Sequence, residues 1–99
     1  MITHHFSDGL YSKEIHIPVG TMVVQHKHNY SHLSVLAMGK VVVLVDEDSK
    51  IVEAPACLEI AAGKNHAVKA LTDCVWFCIH ATDEKDASKV DEVLIKKGD

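Results

Sequence analysis

Gly20-Thr-Met-Val-Val-Gln-His26-Lys-His28-Asn-Tyr30-Ser-His32-Leu-Ser-Val-Leu-Ala-Met38-Gly39 is the stretch on which the reading of this chain turns. Between its two glycines lie β-branched and aliphatic residues, interrupted in the middle by three histidines. On an extended strand, side chains two apart leave the same face, so the imidazoles of His26 and His28 can converge on one point. His32 follows after three residues, enough for the chain to bend and return a third imidazole. His66 comes later, just past the Gly63-containing turn, where a neighbouring strand of a closed barrel could supply a fourth.

Working outward, period-2 patterning runs from about residue 13 to residue 82 in short Val- and Ile-rich segments punctuated by Gly, Asp, Asn and Pro. Strands are expected at Lys13 to Pro18, Thr21 to His28, His32 to Met38, Lys40 to Asp46, Ile51 to Glu53, Cys57 to Ile60, His66 to Leu71 and Cys74 to Ala81. Turns are expected at Gly39, Asp46 to Lys50, Ala62 to Asn65 and Leu71 to Asp73, where glycine and small polar residues tolerate the dihedrals. Many short strands with tight turns predict an all-β sandwich or barrel. The tail differs: Val90, Val93 and Leu94 recur at helical spacing, Ser88 and Asp91 form a candidate capping box, and Lys96 and Lys97 suit a helix carboxyl end, so a short terminal helix is expected between Ser88 and Lys97.

The 99 residues fit one domain spanning 1–99, and an apolar share of 47% supplies one core. No apolar run approaches the roughly 20 residues that a membrane helix needs, and the first residues carry neither a basic segment nor an apolar one. A soluble, cytoplasmic protein is expected, with no membrane partner. All 10 basic residues are Lys, set against 14 acidic ones. Arg supplies the bidentate forks that read guanine and phosphate, so its absence argues against sequence-specific nucleic-acid binding. Cys57, Cys74 and Cys78 lie in apolar strand-like runs and read as small buried hydrophobes. Their spacing lacks the second pair that a zinc knuckle requires.

A single histidine in a strand is most often a surface residue or a hydrogen-bonded core residue, and His4, His5 and His16 are read that way. For the set of four, that reading would crowd imidazoles together on an apolar face, which desolvation and mutual repulsion disfavour, and a metal ion removes the difficulty. By strand parity Met22 and Val24 share the face of His26, while Leu36 and Met38 share that of His32, making them candidate pocket walls or plain core. Met38 and Tyr30 are the candidate substrate contacts, Tyr30 through its hydroxyl. His80 shares a face with Trp76 and Cys78 and is the candidate general acid or base, or a partner that orients a ligand. Glu59 alternates with Leu58 and Ile60 and is expected to face solvent.

The histidine pattern resembles that of the cupin superfamily. Its first motif runs glycine, five residues, His-x-His, three or four residues, Glu, six residues, glycine. Here Gly20, His26, His28, His32 and Gly39 match every spacing, with His32 in place of the Glu. The second motif has a Pro-x-Gly-x2-His core, matched in part by Ala61-Ala-Gly63-Lys-Asn-His66. Its proline is absent, Pro55 stands where a glycine would lead, and Ala70 stands where an asparagine would follow. The resemblance covers about Lys13 to Ala81. It implies a double-stranded β-helix, or jelly-roll barrel, holding one divalent metal on His26, His28, His32 and His66. Replacing Glu by His removes a negative charge and a hard oxygen, which favours Zn, Ni, Fe or Cu over Mn²⁺.

Cupin-like proteins include dioxygenases, isomerases, lyases and non-catalytic binding modules. Two functions are therefore expected in competition. One is a metal-dependent enzyme whose metal acts as Lewis acid or oxygen activator on a small molecule; the other is a metal-organised binding or sensing module. Apolar residues on both faces of Val41 to Val45 and Val75 to Ile79 predict a homodimer.

Overall fold

The computed structural model describes residues 1–25, 30–83 and 85. Nine strands account for most of them: β1 (Ile2–Ser7), β2 (Leu10–Ile17), β3 (Met22–Gln25), β4 (His32–Met38), β5 (Lys40–Val45), β6 (Asp48–Glu53), β7 (Ala56–Ile60), β8 (His66–Ala70) and β9 (Cys74–Ala81). They form a five-stranded sheet in the order β1-β2-β9-β4-β7 and a four-stranded sheet in the order β3-β8-β5-β6, and neighbouring strands are antiparallel. Consecutive strands repeatedly cross from one sheet to the other, which produces a double-sheet jelly roll. The expected terminal helix between Ser88 and Lys97 lies outside the described residues, as do His26, Lys27, His28 and Asn29.

Alternation builds the core. Val41 and Val43 on β5, Val68 and Ala70 on β8, and Val52 on β6 face Leu36, Trp76, Cys78, Ile15 and Ile17 from the other sheet in one apolar cluster. Outward neighbours on the same strands, such as Lys69 and Leu33, are exposed, as expected of a sheet with one face buried.

The structure corrects the sequence reading in several places. The first strand was not expected at all, and β2 begins at Leu10 rather than Lys13. Asp8-Gly9 closes this additional hairpin, with Ser7 paired to Leu10. The turn expected at Asp46 to Lys50 is only Asp46-Glu47, because β6 begins at Asp48, opposite Val45. Asp46 takes the positive φ of 51° that so short a connection requires. Cys57 is exposed, since β7 directs Ala56, Leu58 and Ile60 inward, whereas Cys74 and Cys78 are buried as expected.

Three of the four expected pocket walls also face away from the core. Met22 and Val24 are 49% and 73% exposed, and Val23 packs on the core instead. The pairing of β4 with β9 shifts register between Leu36 and Met38. That bulge leaves Leu36 fully buried but turns Met38 outward, 51% exposed.

Candidate functional site

At one end of the barrel, three imidazoles lie side by side in the interior. His32 opens β4, His66 opens β8 and His80 lies near the end of β9, and they are 5%, 2% and 2% exposed. The ring centroids of His32 and His66, which come from opposite sheets, are 5.8 Å apart with planes inclined by 43°. His80 also lies against His32, at 4.4 Å and 30°. The parity argument that put His80 on the face of Trp76 and Cys78 holds, since all three point inward.

Local hydrogen bonds explain why the two sheets deliver histidines to one place. The Ala62 amide donates to the Ser31 hydroxyl at 3.2 Å, tying the loop before His66 to the residue before His32. The other end of that loop is fastened to the β5–β6 turn. Asp46 donates its amide to the Asn65 carbonyl at 3.0 Å, accepts the Asn65 amide on its carboxylate at 3.3 Å, and pairs with Lys64 at 3.1 Å. Neither Ser31 nor Asp46 stood out in the sequence. A small polar residue next to a ligand candidate and an acid in a tight turn were the available signals.

Aromatic rings enclose the cluster on the β2 side. Tyr11, 1% exposed, stacks on His80 with centroids 6.1 Å apart and planes at 19°. Its hydroxyl hydrogen-bonds Nδ1 of His4 at 2.6 Å. Tyr30 meets the His80 ring edge-on at 6.2 Å and 78°, and its hydroxyl donates to the Ala81 carbonyl at 3.2 Å. Burial pushes the Tyr30 phenol above its usual range, keeping it a neutral donor. Tyr11 is the residue here that the sequence reading missed; its inward parity with Ile15 and Ile17 would have placed it.

The remaining candidates divide cleanly. Met38 is at the far end of β4, roughly 20 Å along the strand from His32 at about 3.3 Å per residue, in a separate depression with His16, Pro18 and Asp73. His5 and His16 are surface residues, as expected. Both hydrogen-bond Glu14, at 2.8 and 2.5 Å, and these bonds from His16 and His5 hold its carboxyl below the usual carboxylate range. Glu59 faces solvent, as expected.

The pair His32 and His66 fits a shared metal. Zinc lies about 2.0–2.1 Å from a ligating imidazole nitrogen, and the ring centre is about 1.1 Å beyond it, so two rings on one ion have centroids about 5.1 Å apart at a tetrahedral angle and up to about 6.3 Å apart as that angle opens to linear. The observed 5.8 Å is inside that limit. Among the described residues no three His, Cys, Asp or Glu side chains are grouped so as to hold a metal ion. The other two expected ligands, His26 and His28, lie outside those residues.

The arrangement is a two-sheet jelly roll with a histidine-lined end. Neither a protein-family model nor a curated protein sequence matches the chain. Solved structures do. A cupin 2 domain-containing protein from Halorhodospira halophila is similar with a TM-score of 0.74 at 14% identity, covering 93% of this chain and 73% of that one. A cupin superfamily protein from Desulfitobacterium hafniense is similar at 0.71 and 17%, covering 84% and 79%. KdgF from a Halomonas species is similar at 0.70 and 10%, covering 85% and 79%. This chain therefore has the cupin fold.

Proposed function

We propose that the protein is a metal-dependent cupin-type enzyme acting on a small molecule, with one divalent transition metal held by His26, His28, His32 and His66. The observation that carries this reading is the burial of His32 and His66 against each other from opposite sheets, at a separation two imidazoles on one ion can have. A bound Zn, Ni, Fe or Cu would supply Lewis-acid or oxygen-activating chemistry. The protein's own residues provide the surroundings. Tyr11 and Tyr30 pack on His80 from two directions and exclude water from that side. His80 presses on His32 and is the side chain assigned to hold or release a proton for a molecule bound at this end of the barrel. Tyr30 is the assigned polar contact for that molecule. Dioxygenase, isomerase and lyase chemistry all fit the site.

The competing reading, a binding or sensing module in which the metal organises a pocket without turnover, is favoured by the small size, the lack of Arg in the sequence and the scarcity, among the described residues, of other acid and base groups near the histidines. A cytoplasmic setting, a homodimer, and the absence of nucleic-acid and membrane partners complete the proposal. No described helix is long and apolar enough to cross a membrane.

Protein purified without added metal is expected to hold one equivalent by elemental analysis. His32→Ala and His66→Ala are each expected to lower metal affinity by more than about 100-fold, since losing even an outer hydrogen-bond partner of a ligand costs 10–100-fold. Unchanged affinity in the double variant would remove the basis for the proposal. Oxygen uptake, or turnover of diketones or uronates, by the loaded protein would select the enzyme. Calorimetric binding of a ligand recovered unaltered would select the module.

A further inference from the structure

An open cleft of about 260 Å³ lies between the edge strands β6 and β7, where the two sheets part. Its walls are Val43, Val45, Val52, Leu58 and Ile60. The cleft adjoins the histidines through the sheet register, because Val45 is the cross-strand partner of His66 and Ile60 that of His32. One feature of its lining is out of keeping with an ordinary core. Lys50 lies opposite the buried Val43 and two residues from the buried Val52, so parity puts it on the inner face of β6, where the open cleft leaves it exposed to solvent. Among the described residues Lys50 makes no ion pair.

Building on the reading of this end of the barrel as a small-molecule site, we infer that the cleft binds an aliphatic monocarboxylate, its carboxylate on the Lys50 ammonium and its body among Val43, Val45, Leu58 and Ile60. Volume sets the size. A dry cavity of about 150 Å³ holds benzene, so this one accepts on the order of ten non-hydrogen atoms. Charge sets the number of carboxylates. Asp48 shares the inner parity of Lys50 and also lines the cleft, nearer the turn. A second carboxylate on the ligand would meet Asp48 and be repelled. Glu59 alternates with the inward Leu58 and Ile60 and so belongs to the rim.

An inward lysine on an edge strand has another use, since a charge there discourages pairing with a foreign strand. That role predicts no preference among small molecules, so the two separate experimentally. The full-length protein would be titrated with hexanoate, hexanamide and adipate while the methyl resonances of Val43, Val45, Leu58 and Ile60 are followed by NMR. Hexanoate is expected to shift these methyls saturably and to bind about tenfold more tightly than hexanamide, as a charge-assisted hydrogen bond would give, with adipate weaker than hexanoate. In Lys50→Met, which keeps the aliphatic stem, the acid and the amide should bind alike, and Lys50→Arg should restore the preference. Absence of shifts, equal acid and amide affinity in the unaltered protein, or a preference that survives Lys50→Met would overturn the inference. So would shifts of the same methyls on simple dilution, which would assign the cleft to a second copy of the chain. Running the series on metal-stripped and metal-loaded protein keeps the two readings apart: hexanoate binding without any metal affinity would sink the metal proposal and leave this one standing.

Discussion

Gly39 shows how closely the packing constrains a single position. It joins β4 to β5 at φ 95°, and a Cβ placed there would lie 2.5 Å from the Asp73 carbonyl oxygen, 2.6 Å from Cys74 Sγ and 2.7 Å from Thr72 Oγ1. The neighbourhood cannot easily yield. The Gly39 carbonyl accepts the Ala54 amide at 2.9 Å, and the next residue, Lys40, is held by Thr72 Oγ1 through its amide and by Leu71 N and Cys74 Sγ through its carbonyl. Gly39→Ala is therefore expected to cost about 2–4 kcal/mol, a left-handed backbone penalty plus overpacking. Gly20 is the control: at φ 83° with nothing within 4 Å, its alanine variant should lose only the backbone part, about 1–2 kcal/mol. Urea midpoints of the two variants check this, and equal losses would show that the 72–74 turn gives way. The same scale shows which site residues were legible. His32, His66 and His80 obey simple alternation, so their inward orientation could be read from the sequence. Met38 could not be placed, because the bulge after Leu36 is marked by no glycine or proline, only by Ala37. Tyr11 lies outside the strand that alternation predicts from Lys13, because Ser12 and Lys13 break the apolar pattern that resumes only at Ile15.

Among the elements, β1 is the least secured. It pairs only with β2, and its six residues are exposed apart from half-buried Phe6. Side-chain contacts add to the backbone pairing with β2: Phe6 on Tyr11 at 5.1 Å, His4 bonded to the Tyr11 hydroxyl, and His5 bonded to Glu14. At the other extreme, β9 is paired on both sides, with β2 and β4, and buries Cys74, Trp76, Cys78 and His80. Amide exchange is therefore expected to be fastest in β1 and slowest in β9. Tyr11→Phe, which removes the bond to His4 while keeping the ring, should accelerate exchange in β1 several-fold, as the loss of about 1 kcal/mol implies, and leave β9 unchanged. Acceleration throughout both strands would show that β1 unfolds only with the whole barrel. Residues that bury a face were legible as strands, which is why β4, β5, β8 and β9 stand where alternation put them. β1 was not, because Ile2-Thr-His-His-Phe-Ser buries almost nothing and becomes a strand through its partner. The Asp8-Gly9 pair was a real hairpin signal, but it lacked an alternating apolar run on its amino-terminal side.

At the scale of the whole molecule, the two sheets differ in what they show to solvent. The outer face of the four-stranded sheet carries two cross-strand rows, Met22, Lys69, Val42 and Ile51, then Val24, Ala67, Leu44 and Ser49. Six of these eight side chains are apolar, and Val24 and Ile51 are 73% and 66% exposed. On the five-stranded sheet, the half-buried Val75, Phe77 and Ile79 adjoin Met38, Val35 and Leu33 of β4 on one side and His16, Glu14 and Ser12 of β2 on the other, so polar groups bound that apolar row at β2. At about 4.8 Å between strands and 3.3 Å per residue, the eight-residue face of the four-stranded sheet covers roughly 250 Å², close to the size of the largest apolar patch on a typical monomer, which is often functional. Lys69, near the middle, need not prevent burial, since its stem can lie along the sheet while the ammonium reaches the rim. The expected homodimer should therefore pair this face with its own copy across a two-fold axis, leaving the cleft between β6 and β7 on the inner side of the sheet. Sedimentation at micromolar concentration should give the mass of two chains, and Val24→Lys combined with Ile51→Lys should give one chain, because each dimer would then bury four further ammonium groups. A protein that sediments as a single chain before any substitution, or a dimer that survives both lysines, would show that these rows are not where two copies meet.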